Sequence, residues 1–238
     1  MEVESRRSHD LKRQLAWYVS ALAYRWSNTA VSERADEDLF AYLGERLTGA
    51  RIVDCGCGPG LLADKLNRRE AGLVIAVDAN PLMAQQAGAR LSQAIAAGEA
   101  EVRKTFVDVE FFAGLNWAPD FIIFKRSLYA SDSDTFETLA AAATALAKGG
   151  AVVVIHPESS LSRYAFGKPP RLHRFTLFHL LNRVISLIAV AFGISSYRTY
   201  TERTLIELLE SVKGGDRVDT IASSQHAYNL TALVIEED

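Results

Sequence analysis

The chain reads as an α/β protein built on a doubly wound, mostly parallel seven-stranded sheet, with a C-terminal antiparallel hairpin and helices on both faces. Three observations predict this. From residue 50 onward, short apolar runs alternate with longer helical stretches, the rhythm of parallel strands joined by crossover helices. One run passes straight into a glycine-rich turn, Asp54-Cys-Gly-Cys-Gly-Pro-Gly60, and then into a helical stretch. The last two apolar runs are parted only by the polar stretch Ser223 to Asn229, short enough for a hairpin.

The elements follow in order. After a polar start, Leu11 to Trp26 winds as an amphipathic helix with Leu15, Tyr18, Leu22 and Trp26 on one side, and Asp36 to Leu47 forms a second helix. Strands are expected at Arg51 to Asp54, Leu73 to Asp78, Val102 to Val107, Phe121 to Phe124 and Ala151 to His156. Helices are expected at Gly60 to Arg69, at Pro81 to Ala97 with proline in the position it favours, and at Asp132 to Ala147 behind capping Ser and Asp residues. Gly149 and Gly150 stop the last of these. One more helix, Thr204 to Val212, precedes the hairpin runs Val218 to Ala222 and Leu230 to Ile235. No repeat or linker divides the 238 residues, so we expect one domain over 1–238, with an N-terminal helical cap at 10–48 and an insertion at 159–201.

Composition narrows the function. A net charge of -3 gives the whole molecule no grip on a phosphate backbone, so nucleic acid is not the expected partner. Cys55 and Cys57 are the two cysteines, one residue apart in the turn, too close for an ordinary disulfide and too few for a metal tetrahedron. They read as reduced turn residues, and no metal is expected. The start of the chain carries charge rather than an apolar core with a cleavage site, which makes the cytoplasm the expected compartment.

The chemistry lies in the turn. Glycines at 56, 58 and 60 permit torsions and a close ligand approach that a Cβ would obstruct. Eighteen residues past Gly60, Asp78 ends the next strand, where its carboxylate can accept both hydroxyls of a ribose. The dinucleotide fingerprint G-x-G-x-x-G does not fit, because the third glycine comes one residue early and Leu61 takes its place. Asp54 within the turn would repel a lodged phosphate but meets a cationic amino acid group. Adenosine joined to an aminoacyl sulfonium suits this pattern better than adenosine joined to diphosphate.

With these residues in view, the chain resembles the Rossmann-like (class I) methyltransferase family that uses S-adenosylmethionine, from about residue 36 to the C-terminus apart from the insertion. Val53-Asp-Cys-Gly-Cys-Gly-Pro-Gly is similar to the family's first motif and Ala76-Val-Asp-Ala-Asn-Pro-Leu-Met to its second. Thr105-Phe-Val-Asp-Val resembles the third, Ala118-Pro-Asp-Phe-Ile-Ile-Phe the fourth strand, and Leu146-Ala-Lys-Gly-Gly the turn before the fifth. The resemblance implies S-adenosylmethionine as cofactor, held by Asp54, Gly56, Gly58, Gly60, Asp78, Met83, Asp108 and Val109, with Asp108 at the adenine amino group. The fourth strand runs into Lys125-Arg-Ser-Leu-Tyr rather than the N/D-P-P-Y/F signature, which argues against an exocyclic base nitrogen as acceptor. An enzyme methylating a small, apolar or anionic metabolite is the implied function; a non-catalytic cofactor-binding or membrane-surface relative is the alternative.

Acceptor-side candidates are His156 and Tyr129 as catalytic groups near the strand ends, with Glu158 beside His156. The segment Ser159 to Thr201 carries Arg163, Lys168, Arg171, Arg174, Arg183 and Arg198 and no acidic residue, and after Pro169-Pro170 it contains an apolar helical face over 175–192. Its candidate uses are a cap over the acceptor, a homodimer contact, or a peripheral membrane contact through 175–192. Its charge-free core, Val184 to Tyr197, is fourteen residues, short for a bilayer span. As a cap it would offer Arg171 and Arg174 to an anionic acceptor, with Tyr18 and Tyr24 of the N-terminal helix on the opposite wall.

Overall fold

The computed structural model describes residues 30–125, 127–128, 135–157, 202–212, 217–220 and 228–235. Helix α1 (Ala30–Leu43) and a 3-10 turn (Gly44–Leu47) lead into strand β1 (Arg51–Cys55). Then follow α2 (Leu61–Asn67), β2 (Leu73–Val77), α3 (Pro81–Arg90), α4 (Ser92–Ala97), β3 (Ala100–Arg103) and α5 (Val109–Ala113). The second half comprises β4 (Phe121–Lys125), α6 (Thr135–Ala145), β5 (Ala151–Pro157), α7 (Glu202–Glu210), β6 (Arg217–Thr220) and β7 (Tyr228–Val234). The strands form one sheet in the order β3-β2-β1-β4-β5-β7-β6, parallel through β5 and antiparallel at β7 and β6. This is the expected fold class, closing hairpin included.

Alternation along the buried strands sorts side chains onto two faces. On one face, Ile52, Val74, Ala76, Ile123, Val153 and Ile155 pack under Leu39 and Leu43 of α1, Leu62 and Leu66 of α2, and Ala87 of α3. On the other, Val53, Val77, Phe124, Val152 and Val154 meet Phe111 and Phe112 of α5, Leu139 of α6, and Leu205 and Leu209 of α7. Both faces are covered, which is why the central strands read as continuous apolar runs rather than as alternating ones. The order also reverses direction between β1 and β4, opening the crevice at the carboxyl ends of the strands where such sheets bind ligands.

Several boundaries differ from the sequence expectation for physical reasons. The third strand is Ala100–Arg103 rather than Val102 to Val107: its register with β2 runs from Val74 opposite Ala100 to Val77 opposite Arg103, and where β2 ends its edge partner ends too. The expected helix Pro81 to Ala97 bends at Leu91 (φ -89°, ψ 9°), a kink that keeps both Leu91 and Ala94 in the core. Asn80 caps its start, accepting from the Leu82 amide at 3.0 Å. The expected start of α6 at Asp132 lies outside the described residues, as do 10–29 of the N-terminal cap and all of 159–201.

Candidate functional site

The turn after β1 is held by its neighbours before any ligand arrives. The amides of Gly56 and Cys57 both donate to the Val77 carbonyl at the end of β2 (2.8 and 2.9 Å), and the Gly60 amide donates to the Cys57 carbonyl at 3.1 Å. Gly56, Gly58 and Gly60 have φ of 69°, 55° and 75°, torsions that residues with a Cβ adopt only with strain. The reason for glycine at 56 and 60 is closer to home than ligand clearance. A Cβ on Gly56 would lie 2.3 Å from the Ser127 Cβ, and one on Gly60 would lie 3.0 Å from Ala87 of α3.

Asp78 stands just past β2 and joins the two loops. Its Oδ2 accepts from the Gly58 amide and its Oδ1 from the Asn80 amide, each at 2.8 Å. Burial pushes this carboxyl's pKa up, and the two backbone donors pull it back. Each oxygen keeps a lone pair, so the side chain can still take two hydroxyl donors side by side, which a ribose diol supplies.

Asp54 lies at the penultimate position of β1 and is 1% exposed. The Ala63 amide bonds to its side chain, and Oδ2 has no hydrogen-bond partner among the described residues. Burial is the largest influence on its pKa, pushed up to about 7, with Lys125 opposing and the carboxylates of Asp36 and Asp78 reinforcing the rise. A buried, half-satisfied carboxylate needs a donor or a cation. It would equally repel a phosphate.

Around Asp54 the structure assembles a group that motif reading had passed over. Lys125, at the end of β4, is 8% exposed and ion-pairs with Asp36 of α1, whose other oxygen accepts from Lys65 of α2 at 2.7 Å. The signal was present in the sequence: a lysine closing the otherwise apolar run Phe121-Ile-Ile-Phe-Lys must bury its charge beside a partner.

The remaining cofactor candidates take varied positions. Met83, in the first turn of α3, is 4% exposed. Asp108 caps α5, accepting from the Phe111 amide at 2.8 Å, a role and a helix that the sequence analysis did not anticipate. Val109, the first residue of α5, is 42% exposed, an apolar side chain left open at the strand-end rim.

His156 follows Val152 and Val154 on the face opposite Asp54 and Lys125, and is 2% exposed. Burial lowers its pKa to about 4, so its ring is neutral at physiological pH. Tyr129, Tyr18, Tyr24, Glu158, Arg171 and Arg174 lie outside the described residues.

The site is thus a crevice with a locked glycine turn, a ribose-type carboxylate at the tip of β2 and a second carboxylate suited to a cation at the tip of β1. That combination suits an α/β protein with a nucleoside ligand that carries positive charge rather than diphosphate. A family model described as a methyltransferase domain matches residues 25–212, and the chain belongs to that family. It is a Rossmann-like, S-adenosylmethionine-dependent methyltransferase, as its motifs implied. No curated protein matches the sequence.

Solved structures share the fold at low identity. The chain superposes on 1,6-didemethyltoxoflavin-N1-methyltransferase of Burkholderia thailandensis with a TM-score of 0.62 and 18% identity, covering 97% of this chain and 90% of that one. The N-methyltransferase NodS of Bradyrhizobium japonicum WM9 gives 0.60 and 15%, over 90% and 92%. The magnesium protoporphyrin IX methyltransferase of Synechocystis PCC 6803 gives 0.57 and 16%, over 86% and 83%.

Proposed function

We propose that this methyltransferase acts on a small, apolar or anionic molecule, with its donor half built from β1 and β2 and its acceptor half from the rim of β5 and the basic segment 159–201. The observation that carries the donor assignment is the pair of carboxylates flanking the glycine turn: Asp78 with one lone pair spare on each oxygen, and buried Asp54 with one oxygen unsatisfied. Asp78 takes the ribose hydroxyls, Asp54 the ammonium of the amino acid part, and exposed Val109 lies under the adenine. Asp108, which spends one oxygen on its helix cap, has the other for the adenine amino group.

When bound, S-adenosylmethionine supplies an electrophilic methyl on a cationic sulfur. The protein's work is then to align an acceptor with that methyl and to exclude water. Neutral, buried His156 suits an acceptor-orienting hydrogen-bonding group, or the first stop of a proton leaving the acceptor, with Tyr129 and Glu158 assigned to the same rim. Arg171 and Arg174 of the basic segment are assigned to the acceptor's negative charge, opposite Tyr18 and Tyr24. Support for a small acceptor comes from the similar structures, two of which are named for 1,6-didemethyltoxoflavin and magnesium protoporphyrin IX. Among the described residues no helix is long and apolar enough to cross a membrane.

The test pairs two measurements. Methyl-labelled cofactor incubated with a metabolite extract should pass label into an extractable small molecule; label retained in the protein fraction alone would contradict a small acceptor. Changing Arg171 and Arg174 together to Ala should raise the KM for that acceptor and leave cofactor affinity unchanged. Salt-sensitive sedimentation of the wild type with anionic vesicles, with unchanged kinetics in the double variant, would instead assign the segment to a membrane surface.

A further inference from the structure

We propose that Lys125 and Asp36 are positioning residues that set the charge state of Asp54, and with it the pH range over which the methyl-donor site accepts its ligand. This rests on the assignment of Asp54 to the ligand's ammonium group. Geometry carries the inference. Asp54 and Lys125 end neighbouring strands on the same face of the sheet, with Asp54 in register with Ile123 two residues before Lys125. Asp36 of α1 lies over that face, and all three groups are nearly sealed from water, with residue exposures of 1%, 8% and 3% for Asp54, Lys125 and Asp36. A buried ammonium paired with one carboxylate and attracting a second ties the charge of each carboxylate to the other.

Among the described residues the groups facing Asp54 are few and of known sign. Lys125 from β4 favours its charged form, whereas Asp36 from α1 and Asp78 from the end of β2 disfavour it. Lys65 of α2 is held on the far oxygen of Asp36. Burial, and after it the Asp54 charge, pushes the thiols of Cys55 and Cys57 well above their ordinary values, so they stay protonated. Only a charged Asp54 attracts the ligand's ammonium, so affinity should rise with pH through the ligand-free pKa of this carboxyl, near neutrality. Removing Lys125 moves that midpoint up. Removing the charge of Asp36 moves it down, because Asp54 loses a repelling neighbour. A purely structural role for the ion pair would move both variants the same way.

The experiment measures S-adenosylhomocysteine affinity by calorimetry between about pH 5.5 and 8 in the wild type, Lys125→Met and Asp36→Asn. It also follows the Asp54 carboxyl by carbon-13 NMR in the ligand-free proteins. For each unit by which the Asp54 pKa moves, affinity on the acid side changes about tenfold. A one-unit rise in the midpoint should therefore make Lys125→Met bind about tenfold more weakly on the acid side and recover as pH rises, while Asp36→Asn should bind more tightly near pH 6 than the wild type. Lys125→Arg, which keeps the charge, should lie between Lys125→Met and the wild type. Midpoints that coincide, or that shift in the same direction, would overturn the inference. So would a wild-type Asp54 titrating in the ordinary carboxylate range, a result obtainable even if Lys125→Met does not fold. Wild type that binds no S-adenosylhomocysteine at any pH, with Asp54 titrating as described, would overturn the ligand assignment and leave the charge coupling standing.

Discussion

The tips of β1 and β2 and the tip of β5 lie on one rim of one sheet, yet they are built on different principles. At the first, the polar atoms are backbone amides and short carboxylates fixed by a glycine turn, with Asp78 stitching the turn to the next loop and Asp54 left one donor short. At the second, β5 is clasped by the antiparallel β7, with Val154 opposite Thr231 and His156 opposite Asn229, and the polar side chain is an imidazole that burial keeps neutral. The first tip is specified by torsions and charges fixed in its own turn. The second tip offers a strand end that is apolar up to His156. The difference teaches where variation is tolerated: a substitution in the turn should damage the fold or cofactor binding, and one near β5 should change what is methylated and how fast.

The largest expected effect is at Gly56. Alanine there meets the Ser127 Cβ at 2.3 Å and must hold a φ of 69°, so Gly56→Ala should cost about 3 kcal/mol or more of stability, read from urea unfolding. A loss below about 1 kcal/mol would mean that the turn is softer than its packing indicates.

On the other side of the comparison, His156→Asn should lower turnover by about 10²-fold with cofactor affinity unchanged, as expected for a group acting on the acceptor. Unchanged turnover combined with a lower melting temperature would reassign His156 to the core. Its pH linkage has a definite sign. The folded pKa of about 4 lies below the ordinary 6.5, so the neutral ring favours the fold and this contribution grows as pH rises through that interval.

Asp78→Ala sharpens the donor side. It removes the acceptor of two backbone amides and the carboxylate proposed for the ribose, and S-adenosylhomocysteine binding should weaken by about 1.5 to 3 kcal/mol in calorimetry. Equal affinity in wild type and variant would remove Asp78 from the ligand site.

Asp54→Asn gives the smallest change and the most diagnostic sign. The folded pKa of about 7 lies above the ordinary 3.8, so this residue costs stability increasingly as pH rises from 3.8 towards 7. The variant should melt a few degrees higher than the wild type at neutral pH, and the gap should close as pH falls and the wild-type carboxyl takes up its proton. Cofactor binding should weaken in the same variant, the trade expected of a functional carboxylate held in the core. A variant less stable at neutral pH would contradict the burial of a carboxylate that Lys125 and the Ala63 amide compensate only in part.

The sequence carried the fold because both of its rhythms are local: apolar runs covered on both faces, and glycines where the chain turns. It also carried the positions of Asp54 and Asp78, since both keep fixed spacing to that turn. It did not carry the Asp36–Lys125 pair, whose members are 89 residues apart and meet only when α1 docks over β4. Nor did it carry α5, because Asp108 was read as a ligand-binding residue while its spacing to Phe111 also made it a cap. The end of β3 was missed because an edge strand stops where its partner stops, a property of β2 rather than of the residues after Arg103.

The central claim, that the crevice between β1 and β4 is built for a cationic nucleoside and against a dinucleotide, is tested most directly by titrating the protein in a calorimeter with S-adenosylhomocysteine and, in parallel, with NAD. Binding of S-adenosylhomocysteine at about micromolar strength with no heat from NAD is the predicted result. Equal binding of the two, or binding of NAD alone, would contradict it.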